Sequence, residues 1–136
     1  MKSGKGRYLF LLMVFFLAGV HKPLLAHHSV AAEFDSNKEV TLTGVISKVQ
    51  WINPHVFVYL DVKDETGKVT TWELQSQPTR FFHNSGLTKE KLMDKEEVMI
   101  TVFLAKDGTK AYGYLYKITY PDGHYYQLIS RESAGK

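Results

Sequence analysis

Alternation of apolar and polar residues is the feature of this sequence that most constrains its fold. In residues 55–63 every second position is apolar, and these positions are Val56, Val58, Leu60 and Val62. A repeat of two residues is typical of a β-strand with one buried face, because successive side chains point to opposite sides of a sheet. The pattern therefore predicts a strand here, with these four side chains in the core.

Similar alternation predicts five more strands, over residues 39–51, 69–75, 98–104, 111–120 and 125–129. In the first of them the apolar residues change from even-numbered to odd-numbered positions, and this change of parity falls close to Gly44. It indicates a bulge or bend there. Turn sequences that contain Asp and Gly separate several of the strands. Between residues 75 and 97 the alternation stops, and we expect a short helix over residues 78–83 and either a helical turn or a loop over residues 87–92.

Five or six short strands with one helical insertion after the third predict an all-β fold, namely a small antiparallel barrel of the OB type. An open sandwich would need more strands than the sequence contains. The chain has no cysteine, so it has neither a disulfide framework nor a thiolate metal site. Its stability must therefore come from a packed core.

The N-terminal segment has the three zones of a secretory signal: basic residues 1–7, an apolar run over residues 8–20 and a short tail that ends at Ala26. The run is shorter than the roughly 18 residues that a spanning helix needs. We expect a signal peptide over residues 1–26 and one barrel domain over residues 27–136, with a retained anchor as the alternative. The mature protein would be periplasmic or secreted and would have no membrane span.

Removal of this segment changes the charge of the protein. The whole chain has 17 Lys and Arg against 14 Asp and Glu, but four of the basic residues precede residue 27, which leaves 13 against 14. A net charge of −1 offers little counterion release, so nucleic acid is not an expected partner. A periplasmic protein or a small ligand is the expected kind of partner.

The histidines suggest a metal site. Cleavage after Ala26 would make His27 the first residue, and its α-amino nitrogen and imidazole could then chelate one ion together. His28 and His55 would add imidazoles, while Glu33 and Asp35 would add carboxylate oxygens. Nitrogen and oxygen donors without thiolate favour Cu(II), with Zn(II) and Ni(II) as alternatives.

Two other functions remain open at this point. A non-enzymatic binding module would use an exposed aromatic face for a small molecule, an oligosaccharide or a partner protein, and its candidate residues are Trp51, Phe57, Tyr59 and Trp72. An enzyme, for example a copper oxidase with an N-terminal histidine brace, is less expected. The sequence contains no nucleophile elbow, P-loop, dinucleotide fingerprint or H-E-x-x-H helix, and no catalytic residue is assigned.

The candidate metal ligands also carry a resemblance to a known family. The segments HHSVAAEFD (residues 27–35), VTLTG (40–44) and WINPH (51–55) resemble small exported bacterial proteins that are defined only by a domain of unknown function. The resemblance covers nearly the whole mature chain and implies a periplasmic or secreted OB-like barrel without an established activity. Residues 93–97 depart from the Pro-Gly-Asp turn that such proteins tend to have before the fourth strand, which leaves the shape of this loop open.

Overall fold

The computed structural model describes residues 29–135. The expected signal peptide, its cleavage bond, His27 and His28 lie outside these residues. Six strands are present in the described range: β1 (Phe34–Gln50), β2 (Phe57–Lys63), β3 (Val69–Gln75), β4 (Glu97–Ala105), β5 (Tyr112–Thr119) and β6 (Tyr125–Gln127). Four short helices accompany them: α1 (Val30–Glu33), α2 (Thr79–Ser85), α3 (Lys89–Leu92) and α4 (Arg131–Ala134).

The strands form one sheet in the order β3-β2-β1-β4-β5-β6, and β3 also pairs with β5. This last pairing closes the first five strands into a barrel, while β6 is an extra strand on β5. The prediction of a small OB-like barrel of five or six strands is confirmed. The closing pair is parallel, with Glu73 opposite Tyr112 and Gln75 opposite Tyr114, so the barrel is mixed rather than purely antiparallel.

The long strand β1 bends so that it can pair with β2 on one side and β4 on the other. Its register against β2 shifts between Ile46 and Lys48, and this bulge keeps both Ile46 and Val49 buried. The alternation pattern predicts this bulge close to Gly44, but it lies further along the strand. Gly44 has a different role, since a Cβ atom there would lie 2.3 Å from the backbone oxygen of Asp61 on β2.

The apolar side chains that are predicted to face inward fill the barrel interior. Val56, Val58 and Leu60 are fully buried, and Val62 packs against the same cluster from a partly buried position. Helix α2 lies where a short helix is expected, and α3 lies in the segment for which a helical turn and a loop are both open. Phe82 of α2, Leu92 of α3 and Leu87 in the loop between them are buried in this core. The helices thus close the end of the barrel at which β3 finishes and β4 begins.

A second, smaller core lies on the outside of the barrel wall. It consists of Phe34, Phe103, Tyr114, Ile129 and Ala134. The start of β1 and the C-terminal helix α4 therefore cover the outer side of β4 and β5. Within residues 29–135, no helix has both the length and the apolar character that crossing a membrane would require.

Candidate functional site

His55 lies in the loop between β1 and β2, which is tied to helix α2. The Asn53–Pro54 peptide bond in this loop is cis, and Asn53 Oδ1 accepts hydrogen bonds from the Thr79 backbone N–H at 3.2 Å and from its hydroxyl at 3.0 Å. The half-buried His55 has its Nδ1 atom 3.0 Å from the carbonyl oxygen of Ser76. The predicted NPH turn is therefore held against the end of β3.

This contact defines which imidazole nitrogen of His55 is available. A carbonyl oxygen can only accept a hydrogen bond, so His55 Nδ1 must carry the hydrogen. In the neutral ring, Nε2 then holds the lone pair. Histidine ligands of metal ions commonly donate their second ring N–H to a backbone carbonyl in this way, which fixes the tautomer and the ring orientation.

Glu33 is the last residue of α1, and it attaches the N-terminal segment to the barrel wall. The Tyr112 hydroxyl donates a hydrogen bond of 2.7 Å to Glu33 Oε1 and lies 3.0 Å from the side-chain oxygen of Gln75. Burial raises the pKa of Tyr112, and the hydrogen bond to Glu33 raises it further. The hydroxyl therefore stays protonated and remains a donor.

The contacts of Glu33 and His55 meet in one region of the wall. Gln75, which the Tyr112 hydroxyl approaches, is paired in register with Phe57, the first residue of β2. His55 precedes Phe57 by two residues, and its imidazole is bonded to Ser76, the residue after Gln75. Hydrogen bonds therefore lead from Glu33 through the Tyr112 hydroxyl to Gln75, the residue before the one that His55 contacts.

Asp35 is not brought to this region. Its Oδ1 atom accepts a 3.0 Å hydrogen bond from the Asn37 backbone N–H, and its Oδ2 atom lies 3.8 Å from Lys38 Nζ. It lines a small hollow beside Ala134, whereas Glu33 lines another beside Asp107. Among residues 29–135, no group of three or more His, Asp or Glu side chains is placed to hold a metal ion. A complete site would need His27 and His28, which lie outside this range.

The four aromatic residues of the predicted binding face lie in three different places. Trp51 packs against Phe82, with ring centroids 5.2 Å apart, at the end closed by the helices. Trp72 packs against the barrel core from the inward side of β3. Phe57 and Tyr59 alternate with buried residues of β2 and so lie on the outer wall, where Lys48 Nζ is 4.7 Å from the Tyr59 ring centroid.

A cavity that the sequence did not reveal lies beside Trp72. It has a volume of about 530 Å³ and is formed where β2 ends, β3 begins and β4 ends, together with the loop over residues 106–111. Its apolar wall includes Val62, Trp72 and Leu104. These side chains occupy the same alternating positions as the buried core residues. Alternation alone therefore could not distinguish a cavity wall from a filled interior.

A second hollow, of about 310 Å³, is lined by polar and aromatic groups near the turn between β5 and β6. The ring of His124 stacks on Tyr120 with centroids 4.4 Å apart, and its Nδ1 atom contacts Asp122 within the same turn. Burial raises the pKa of Tyr120 to about 12, with a contribution from Asp94. His124 thus supports its own turn.

Comparison with known proteins identifies the family. Residues 15–114 match a family described as being of unknown function, DUF6152. Among curated proteins and among solved structures, no match was found. The matched range extends through Glu33, His55 and strands β1 to β4 into β5. The chain therefore belongs to this family of unknown function.

Proposed function

We propose that the protein is exported and that its mature form binds a divalent metal ion, preferably Cu(II), through His27, His28 and His55. One observation supports the proposal: the Tyr112 hydroxyl contacts both Glu33 and Gln75, and the next residue, Ser76, is the hydrogen-bond partner of His55. Without this contact the N-terminal and loop histidines would have no reason to converge.

The path from His28 to the barrel is short. Ser29 precedes helix α1, which is a single turn of four residues ending at Glu33. One helical turn advances the chain by about 5.4 Å. Lys106 strengthens the attachment, because its backbone N–H donates a 2.9 Å hydrogen bond to the Glu33 carbonyl oxygen and its ammonium group contacts the Ala31 carbonyl. The histidines therefore precede a segment that is bound at both its main chain and its side chain.

The donor set favours copper among the divalent ions. Cleavage after Ala26 would create an α-amino group on His27, which chelates together with the imidazole of the same residue. His28 and His55 Nε2 add nitrogen ligands, and Glu33 is the first carboxylate that follows the histidine pair in the chain. Nitrogen-rich sites bind Cu(II) more tightly than Ni(II) or Zn(II). Asp35 is not part of the proposed set, because its contacts lie with Asn37 and Lys38.

Isothermal titration with Cu(II) tests the proposal, using protein that begins at His27. One variant carries an extra alanine before His27, which removes the chelating α-amino group, and a second is His55→Ala. Each should raise the Kd at least tenfold, equivalent to about 1.4 kcal/mol. His124→Ala is the matched control, since His124 is an exposed histidine held in its own turn, and its Kd should equal that of the unmodified protein. Unchanged Cu(II) binding in both the extended protein and His55→Ala would refute the proposed site.

A further inference from the structure

We propose that the protein has a second binding site, at the end of the barrel opposite helices α2 and α3, for a small neutral molecule that is largely apolar and carries a flat ring. The proposal does not depend on metal binding. It starts from the cavity of about 530 Å³ beside Trp72. Sites for small molecules in proteins have volumes of about 300–1,000 Å³ and are lined mainly by apolar and aromatic side chains.

The wall of this cavity continues the barrel core. Leu60 pairs with Trp72, and Val62 pairs with Thr70 at the next inward-facing position of the two strands. Leu60 is fully buried, whereas Val62 and Trp72 are partly exposed. At the other end of the barrel, side chains of α2 and α3 cover the corresponding apolar surface. Here that surface is open, so a ligand can bury it.

The cavity is formed before any ligand binds, because its loop is attached to the barrel. The Ala111 carbonyl oxygen accepts a 2.9 Å hydrogen bond from the Glu73 backbone N–H. Within the loop, Asp107 Oδ1 accepts hydrogen bonds from the Thr109 backbone N–H at 2.9 Å and from its hydroxyl at 2.7 Å. A loop held in this way loses little conformational entropy on binding, which favours affinity.

The charges around the cavity favour a neutral ligand. Its lining contains one carboxylate, Asp64, and one ammonium group, Lys110. Asp64 Oδ1 already accepts hydrogen bonds from Thr66 and Lys68 in its own turn, and the bond from the Thr66 hydroxyl is the main cause of its lowered pKa. The two charges cancel, so the lining has no net charge that would attract an ion of either sign, whereas a neutral ring can pack against the Trp72 indole.

Fluorescence titration with N-phenyl-1-naphthylamine, a neutral apolar dye, tests the proposal. The wild-type protein should bind one dye molecule saturably, and Val62→Phe, which fills the cavity, should weaken binding at least tenfold. Val69→Phe is the matched control, because it is the same substitution at a position outside the cavity. Val69 is 53% exposed, and its side chain lies on the face of β3 opposite to that of Trp72. Thr70→Phe, at the cavity rim, is a second filling variant if Val62→Phe fails to fold. Equal dye affinity in a folded filling variant and in Val69→Phe would overturn the proposal.

Four further measurements separate this site from the alternatives. In a Trp51→Phe protein, Trp72 is the remaining tryptophan, and energy transfer from it to the bound dye should be strong. Anilinonaphthalene sulfonate, which is anionic, should bind at least tenfold more weakly than the neutral dye, and equal affinity would overturn the assignment of a neutral ligand. Sedimentation should show the same mass for wild type and Val62→Phe, since a loss of self-association in the variant would instead assign the cavity to a second copy of the chain. Dye affinity should be the same in His55→Ala, so failure of the metal proposal leaves this test intact.

Discussion

Removal of the Tyr112 hydroxyl should loosen the contact that holds the N-terminal segment on the barrel. In Tyr112→Phe the ring stays against Phe34, whose centroid is 5.5 Å away, but the 2.7 Å hydrogen bond to Glu33 is lost. A hydrogen bond to a charged group contributes about 1.5–3 kcal/mol. Because Tyr112 and Glu33 are only half-buried, we expect the low end, a decrease of about 1.5 kcal/mol in the free energy of unfolding.

Urea denaturation of Tyr112→Phe, Glu33→Gln and the double variant measures this interaction as a double-mutant cycle. The coupling energy between the two side chains should be about 1 kcal/mol. Tyr125→Phe is the control, because Tyr125 is 62% exposed and should lose almost nothing. The Cu(II) affinity of Tyr112→Phe should fall in parallel, since the segment that carries the histidines is less well held. Additive effects of the two single substitutions, with unchanged Cu(II) affinity, would refute the reasoning.

Two other predictions concern stability. Gly44→Ala should lower the free energy of unfolding in urea by about 1–3 kcal/mol, because the new Cβ would meet the Asp61 backbone oxygen at 2.3 Å; Gly135→Ala, whose Cβ would meet nothing closer than 3.6 Å, should have little effect, and equal losses would contradict this explanation. Burial raises the pKa of Tyr114 above its ordinary value of 10.0. Its protonated form is therefore favoured by folding, so stability should be complete below about pH 10 and should fall as the pH rises further. Urea denaturation from pH 8 to 11 should show a shallower fall for Tyr114→Phe than for Tyr125→Phe, and identical slopes would contradict the assignment.

Much of the barrel could be predicted from alternation alone. Residues 55–63 and 69–75 were expected as strands, and they correspond to β2 and β3. This success has a local cause, because a strand with one buried face needs apolar residues at every second position wherever it lies in the fold. The parallel pairing of β3 with β5 could not be predicted in the same way, since parallel and antiparallel strands have the same side-chain period.

The change of alternation in β1 and the presence of Gly44 have different physical causes. The change of parity in β1 is real, but the extra residue lies between Ile46 and Lys48. Glycine often marks a bulge, but Gly44 has no positive φ and is required because a side chain would clash with Asp61. Only the position of Asp61 on the neighbouring strand determines that no side chain fits there.

The candidate sites divide in a similar way. The NPH turn and the acidic residue after the expected signal peptide are visible as sequence motifs, and the structure adds the hydrogen-bond partners of His55 and Glu33, which are Ser76 and Tyr112. Residue type and alternation group the aromatic residues together, whereas the structure places Trp51 against Phe82 of α2 and Trp72 beside the cavity. The cavity beside Trp72 had no sequence signal, since its walls follow the same pattern as filled core.

The sequence by itself determined the strands and the side chains that face inward, because each depends on the composition of a short contiguous segment. The tertiary structure decided the closure between β3 and β5, the attachment of the N-terminal segment to Tyr112 and Lys106, and the open end of the barrel. These features depend on residues far apart in the chain, such as Glu33 and Tyr112, which meet only when the sheet has closed. Local periodicity carries no information about such distances, and the cavity beside Trp72 lies where distant segments meet.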